Sequence, residues 1–568
     1  IIMIFQDVFI KKPGRSLFNL THERKFSCDW SGLYPFLFME AVPGDTFKIS
    51  TEMVVRTAPL VSPVMHRVNV KMYYFFVPNR LLFSKWEDFI TGVDQKKAYV
   101  DAENSNDYFV NPVLPYFDVT NQNINSSFLK DGSLADFLTF PTCRQNQDIS
   151  GTVRVPMMPF AAYQKVYDDW FRNQNVEAPH LTEALPEGQI SQSLAYQMMQ
   201  LRRKMWEKDY FTSSLPFAQR GDAVDIPFTL QGLKLKNLNN GKSTFIRPTD
   251  NSIEQVGNST LYVRGENDSD RTNVPFYGAY TANTDSGLSD DTTPSQVDIT
   301  QHTAVTSDGQ VAGTINDLRI ATRLQRWLEK NARVGGRYIE QILAHFAVKS
   351  SDARLQRAEY LGGFTNPLII EPVEQNSASQ WNTEDSSTTS ETFATPQGTL
   401  VGKGTSYGQN KPIKCYCEEH GFILGIMTIL PRTAYQDQLS RMWQRSNRYD
   451  YYFPEFAHLG EQEVNKAEVY FNIANEQQRS TDRFGFQERY CEYKYVPSTV
   501  HGDMKGSLHF WHIGRNFNVQ PALNLSFVEA MPNTDIFAVA AGGNHFYVNL
   551  INNVQALRPM PKQAIPTL

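Results

Sequence analysis

The chain has 568 residues, a length that can bury a large core and suggests two to four domains. Aromatic residues reach 12% while charged residues stop at 20%, a balance suited to extensive burial in a core or in subunit interfaces. The net charge of -6 excludes a global basic field for condensing nucleic acid, and no apolar run of 18 or more residues offers a transmembrane helix.

The amino-terminal segment IIMIFQDVFI is apolar, but it contains Asp7 and has no basic flank before it, so it does not read as a signal peptide. Residues 1–44 are expected to form an arm that packs on a neighbour or on its own core. A Pro43-Gly44-Asp45 turn then opens a strand over 45–56. Phe47, Ile49, Thr51, Met53 and Val55 share one face, and Lys48, Ser50, Glu52 and Arg56 share the other. After a proline corner at 58–63, Val68, Val70, Met72, Tyr74 and Phe76 define one face of a second strand over 67–77, broken at Pro78-Asn79-Arg80. Two long strands around a proline corner describe a sandwich sheet, not a βαβ enzyme unit.

Helical patterns follow over 160–173 and 192–208, the second carrying a short basic cluster, Arg202-Arg203-Lys204, beside Met205 and Trp206. Residues 231–313 are rich in Asn, Thr, Ser, Asp and Gly. Only STFIR and STLYVRG alternate there, so the segment reads as a surface excursion with a few short strands. The next helix, over 314–332, has Thr314 as its expected cap and Asp317 in its first turn. It carries Arg319, Arg323, Arg326, Lys330 and Arg333 along one face, with Arg337 beyond a Gly335-Gly336 break. Ile315, Leu318, Ala321, Leu324 and Leu328 form the opposing apolar stripe. Such a basic stripe serves genome phosphates, an acidic patch on a neighbouring subunit, or simply water.

A second polar stretch, 374–391, has the composition of a mobile loop. Cys415 and Cys417 lie on one face of a strand with His420 nearby. Without a fourth ligand or a Cys-x-x-Cys partner they read as buried or interface thiols, not a metal site. With Cys28, Cys143 and Cys491 they make an odd, scattered set expected to stay reduced. A strand over 422–430 precedes the densest aromatic run, Trp443, Tyr449, Tyr451, Tyr452 and Phe453, interleaved with Arg441, Arg445 and Arg448. Aromatics among arginines either stack single-stranded bases or fill a desolvated protein interface, and the interface is the better reading. Strands are expected again at 467–472 and 544–550. Asp168-Asp169 and Glu418-Glu419 are adjacent acids with diverging side chains, and His458, His509 and His512 have no nucleophile motif beside them. The residues therefore offer no catalytic constellation, cofactor motif or metal set.

Strands at both ends of the chain with long insertions between them favour a non-local sheet. The motifs PGDTF, APLVSPVMHRVNVKMYYFFVPNR and WEDFITG, preceded by FNLTHERKFSCDW, resemble the major capsid proteins of gokushovirus-type Microviridae, small single-stranded DNA bacteriophages. The series continues in family order. It runs through MPFAAYQKVYDDWFRNQN, YFTSSLPFAQRGDAV, TINDLRIATRLQ, DARLQRAEYLGG, TPQGTL, RMWQRSNRYDYYFPEFAHLGEQ, GFQERYCEYKY and RPMP. The resemblance implies a mainly β chain, a single eight-stranded antiparallel jelly roll with long loop insertions containing several helices. It implies sixty copies in a T=1 icosahedral shell around circular single-stranded DNA, assembled in the bacterial host cytoplasm. The implied partners are a small basic DNA-binding protein, an internal scaffolding protein during assembly and a host-cell receptor, with no membrane insertion. Under this reading residues 1–44 are the arm, and 45–229 hold the first jelly-roll strands and helical insertions. The surface insertion at 230–313 builds a three-fold protrusion facing the host, and 314–568 hold the remaining strands. A carbohydrate-binding or adhesin-type β-sandwich, and more distantly a glycoside hydrolase, are the alternatives. Neither accounts for the ordered motifs.

Overall fold

A computed structural model describes residues 14–92, 110–120, 126–144, 147, 149–221, 315–334, 337–374, 400–474, 482–539 and 543–563, together with short backbone strands within 233–307 and 379–395. The chain divides into two compact units, residues 1–220 with 329–568 and residues 221–328.

The first unit is built on one large antiparallel sheet. Its strands are β1 (Ser16–Asn19), β2 (His22–Cys28), β3 (Tyr34–Ala41), β4 (Thr46–Thr57) and β5 (Val68–Pro78). After the insertions come β6 (Glu359–Glu374), β7 (Leu400–Gln409), β8 (Ile413–Tyr416), β9 (Gly421–Pro431) and β10 (Phe546–Arg558). Eight of them run in the order β1-β10-β4-β7-β6-β5-β9-β3, while β2 also pairs with β10 and β8 with β4. Apart from the consecutive β6 and β7, the neighbours along this path are far apart in sequence, as expected of a jelly roll. The long β6 makes the sheet curl. Its first half pairs with β5 (Glu359 opposite Phe76 through Leu368 opposite Val68), and its second half leaves for β7 (Ile369 opposite Thr405). The expected fold class is shown: a mainly β, curled antiparallel sheet of capsid type carrying helical insertions.

The alternation read in β4 and β5 is the alternation of burial. Phe47, Ile49, Met53, Val55, Val68, Val70, Met72, Tyr74 and Phe76 all enter one core, closed by Phe36, Ile423, Met427, Phe546 and Leu550. At the Pro43-Gly44-Asp45 turn Gly44 takes φ 91, a left-handed conformation that costs glycine little. The buried Asp45 carboxylate there accepts the Val42 N–H at 3.0 Å and meets Arg558, at the end of β10, at 3.5 Å. The turn between β3 and β4 is thereby tied to the far end of the chain.

A second core covers the sheet's other face. Phe75, Val77, Leu424 and Ile426 pack with α1 (Met158–Val166) and α2 (Gln192–Met199) through Phe160, Tyr163, Val166, Met198 and Met199. Every residue of β9 is consequently buried.

Two expected elements are corrected. The helix read over 192–208 stops at Met199. From Gln200 the chain is extended because it pairs elsewhere: Leu33 N–H donates to Arg202 O (2.9 Å), Lys204 N–H to Ser31 O (2.7 Å) and Trp206 N–H to Val528 O (2.9 Å). The strand read over 467–472 begins instead as a helical turn, Lys466–Val469, set by the Asn465 N–H donating to Glu468 Oε1 at 3.1 Å.

In the second unit, Leu233–Asn237 pairs with Thr303–Ser307, Ser243–Ile246 with Ile253–Val256, and Thr260–Arg264 with Arg271–Pro275, all antiparallel. The two weakly alternating stretches of sequence therefore do form strands. Ala282–Asn283 pairs with Gly287–Leu288 as well; the rest of the expected 230–313 protrusion lies outside the described residues, as do residues 1–13 of the arm and most of the polar stretch 374–391.

Candidate assembly and nucleic-acid surfaces

The basic stripe lies on α3 (Ile315–Val334), the helix expected from its periodicity. Its members have different fates. Arg333 forms an ion pair with the buried Glu461, and Lys330 Nζ donates to Ala344 O at 2.8 Å. Burial raises the Glu461 carboxyl, and the Arg333 guanidinium opposes that rise. Arg337 is off the stripe entirely. It caps α4 (Tyr338–Phe346) through its N–H to Glu340 Oε2 at 3.1 Å, and its Nη2 donates to the Asp168 and Arg172 carbonyls at 3.0 and 3.2 Å. Arg319, Arg323 and Arg326 remain exposed, with no ion pair among the described residues. The opposing apolar stripe is open as well: Leu318 and Leu324 are exposed, along with Ile320 and Trp327. The expected cap Thr314 and the Gly335-Gly336 break lie outside the described residues.

The aromatic run has a different character. Three short turns, Arg441–Trp443, Arg448–Asp450 and Pro454–Phe456, present Trp443, Tyr449, Tyr451, Tyr452 and Phe453 to solvent. Asp450 builds the middle turn by accepting the Ser446 and Asn447 N–H groups, both at 2.8 Å, which lowers its pKa. The interleaved arginines are already paired within the chain. Arg441 lies 3.4 Å from Glu468 and 3.8 Å from Glu492, and its Nη1 donates to Glu463 O at 2.7 Å. Arg445 meets Glu492 at 3.6 Å and sits 4.5 Å over the Tyr493 ring, while Arg448 donates to Tyr449 Oη at 2.8 Å. Glu468 and Glu492 reach these arginines from later in the chain; the acids of GFQERYCEYKY are the sequence signal for Glu492, and no motif signals Glu468. With Arg441 and Arg445 matched by acids, only the exposed Arg448 is left to offer a phosphate. It is an exposed aromatic surface, the composition that protein interfaces desolvate.

The remaining candidates are structural. Arg202 spends its guanidinium on Gln164 Oε1 (2.9 Å), Gln200 Oε1 (2.8 Å) and Gln197 O (2.8 Å). Lys204 contacts the Tyr73 hydroxyl and lies 4.6 Å over its ring. Burial first, then the Lys71 charge, bring its amine down to about 7, against the pull of Glu207. Cys415 and Cys417 are buried with their sulfurs 3.8 Å apart, in agreement with the buried-thiol reading, and His420 packs against Trp86. Asp168 accepts the His180 and Leu181 N–H groups at 2.8 and 2.7 Å. Burial would raise this carboxyl, and those bonds with the His180 ring bring it below its ordinary value.

Comparison with known proteins identifies the family. A family model described as capsid protein (F protein) matches residues 8–568. The chain is 32% identical to capsid protein VP1 of Chlamydia phage 1, over 99% of this chain and 97% of the relative. It is 32% identical to capsid protein VP1 of Bdellovibrio phage phiMH2K, over 97% and 95%, and 27% identical to capsid protein VP1 of Spiroplasma virus 4, over 98% and 95%.

Proposed function

The chain belongs to the capsid protein (F protein) family, in its gokushovirus type, and on that premise we propose that it is the structural subunit of a T=1 icosahedral shell of sixty copies around circular single-stranded DNA. The observation that carries the assembly reading is the exposed aromatic patch at 443–453, where Arg441 and Arg445 are matched internally while the rings are not covered. A shell multiplies such a contact by symmetry, so modest burial per subunit closes a particle. Its work is association and not catalysis.

The exposed Arg319, Arg323 and Arg326 on α3 are the candidate genome contacts, since cations without internal acids are the ones available to phosphates. With a net charge of -6 the shell needs more neutralisation than this helix supplies, which a small basic DNA-binding partner provides. An internal scaffolding protein would act during assembly in the host cytoplasm, and the polar segment 230–313 would form the protrusion that contacts the host receptor.

Sedimentation of native material, with electron microscopy of the fast fraction, tests the reading. Uniform closed shells holding this chain and nuclease-protected single-stranded DNA are expected. A slow monomer from a source with every phage protein present refutes the shell.

A further inference from the structure

A cavity of ≈ 460 Å³ opens at the end of the sheet where β5 begins and β9 ends, and nothing in the assembly reading uses it. Its walls come from three remote segments, carrying His66 and Arg67, Arg432, and Thr499, His501 and His512. No acidic residue lines it among the described residues.

The hydrogen bonds fix most of the imidazole protons. His66 places Nε2 2.6 Å from Arg432 O, and a carbonyl only accepts, so Nε2 carries the proton and Nδ1 is left over. His512 donates from Nε2 to Met504 O at 2.7 Å and accepts the Gly514 N–H on Nδ1 at 2.9 Å, so it is neutral and fixed. His501 shares a hydrogen bond with Thr499 Oγ1 at 2.8 Å. Burial, joined by the neighbouring His512, holds His66 below its ordinary pKa against the Arg432 carbonyl, so it too is neutral at pH 7. The positive charge therefore comes from the two guanidinium groups. Arg67 is exposed and has no ion pair among the described residues. Among the described residues Arg432 forms one ion pair, with Glu207 at 3.9 Å, and that carboxylate is in direct contact with Lys71.

One unpaired guanidinium and one held only by a long ion pair, beside hydroxyl and imidazole walls in a cavity too large for a monatomic ion, match the oxygens of a phosphate. We propose that this cavity binds a phosphate-bearing anion, held by Arg67 and Arg432 and oriented by Thr499. Inorganic phosphate and the phosphodiester of a single-stranded nucleic acid share this chemistry. The site does not depend on the shell reading, because a chain that binds phosphate without forming particles leaves it intact.

The test is calorimetric titration of the full-length chain, at fixed ionic strength, with inorganic phosphate and separately with a pentathymidylate oligonucleotide. The comparison is with R67Q/R432Q and with R67Q alone. Both side chains face solvent, and the backbone bond from Arg432 N–H to Arg67 O (2.9 Å) survives the substitutions, so the variants keep the wild-type melt. At least a tenfold loss of affinity in the double variant is expected for one probe or both. A loss with phosphate only assigns the site to the free anion, and a loss with the oligonucleotide assigns it to a diester. Absence of binding to wild type at millimolar probe, or binding of both probes that R67Q/R432Q leaves unchanged, overturns the proposal.

Discussion

Replacing Trp443 with alanine separates assembly from folding. The side chain is 74% exposed and makes no hydrogen bond among the described residues, so its loss should change subunit stability by no more than about 0.5 kcal/mol. A tryptophan presents up to roughly 250 Å². About 180 Å² of it therefore stays uncovered in the lone subunit, worth about 4.5 kcal/mol if fully buried at about 25 cal/mol per Å². Ordering the contact and desolvating its polar rim leave roughly 2–3 kcal/mol, the range of an interface hot spot. At about 1.4 kcal/mol per factor of ten, W443A should raise the subunit concentration at which shells appear by about 30- to 150-fold. The assay is sedimentation across a dilution series of purified chain, with thermal melts of the slow fraction run alongside. An unchanged melting temperature with a raised threshold is the expected pair of results. An unchanged threshold refutes the assignment of this patch to the interface, and a lowered melting temperature refutes the claim that it is unburied within the subunit.

Lys204 predicts an alkaline rise in stability. A lysine held down to about 7 in the fold and near 10.4 when unfolded leaves the unfolded chain with the extra proton between those values, so stability grows as pH rises through that window. K204M should flatten that rise in denaturant midpoints taken from pH 6 to pH 10, and a K204M profile as steep as wild type would count against it. Removing Arg333 exposes the opposite sign. Glu461 is raised by burial, so its contribution is present below its unfolded value and lost as pH rises through the folded one. R333A should cost roughly 1–2 kcal/mol at pH 7, less than a fully buried pair because Arg333 is half in solvent, and much less at pH 4. Equal losses at both pH values would sink that account. For α3, R319Q/R323Q/R326Q should lower the slope of log affinity against log salt for a single-stranded oligonucleotide by about 2, since each phosphate contact carries about 0.7. A slope equal to that of wild type would remove this face from the genome contacts.

What the sequence disclosed was governed by distance along the chain. The faces of β4 and β5 are local period-2 patterns, and their buried sets are the ones the alternation picks out, from Phe47 to Val55 and from Val68 to Phe76. The second core was hidden within that same signal. Tyr73, Phe75 and Val77 occupy the nominally outer face of β5, and only the arrival of α1 and α2 from a remote insertion makes that face an interior. Helix length failed at 192–208 for a related reason. The residues after Met199 have an adequate helical pattern, but residues 31–33 and Val528 offer their backbone groups partners that no local window contains. The anion cavity gave no sequence signal at all, because its walls meet only when β5 and β9 pair from Gly421 opposite Pro78 to Pro431 opposite Val68.

The arginines show most clearly why composition underdetermines function. In sequence, the stripe at 319–333 and the cluster at 441–448 are both basic residues at short spacing, one set among apolar positions and the other among aromatics. Their chemistry diverges through acids supplied from elsewhere. Glu468 and Glu492 take Arg441 and Arg445, and Glu461 takes Arg333, so these guanidiniums are spent holding the fold together. Arg319, Arg323, Arg326 and Arg67 receive no such partner among the described residues. A charge already matched by a buried carboxylate gains little from a phosphate, because binding would first have to break the internal pair. An unmatched one exchanges only water and counterions for it. The surfaces open to anions are thus set by where the carboxylates are absent, and the aromatic patch, with Arg441 and Arg445 matched and only Arg448 left over, has chiefly its rings to bury. In the same chain, that difference is what the proposed association surface and the proposed phosphate surfaces rest on.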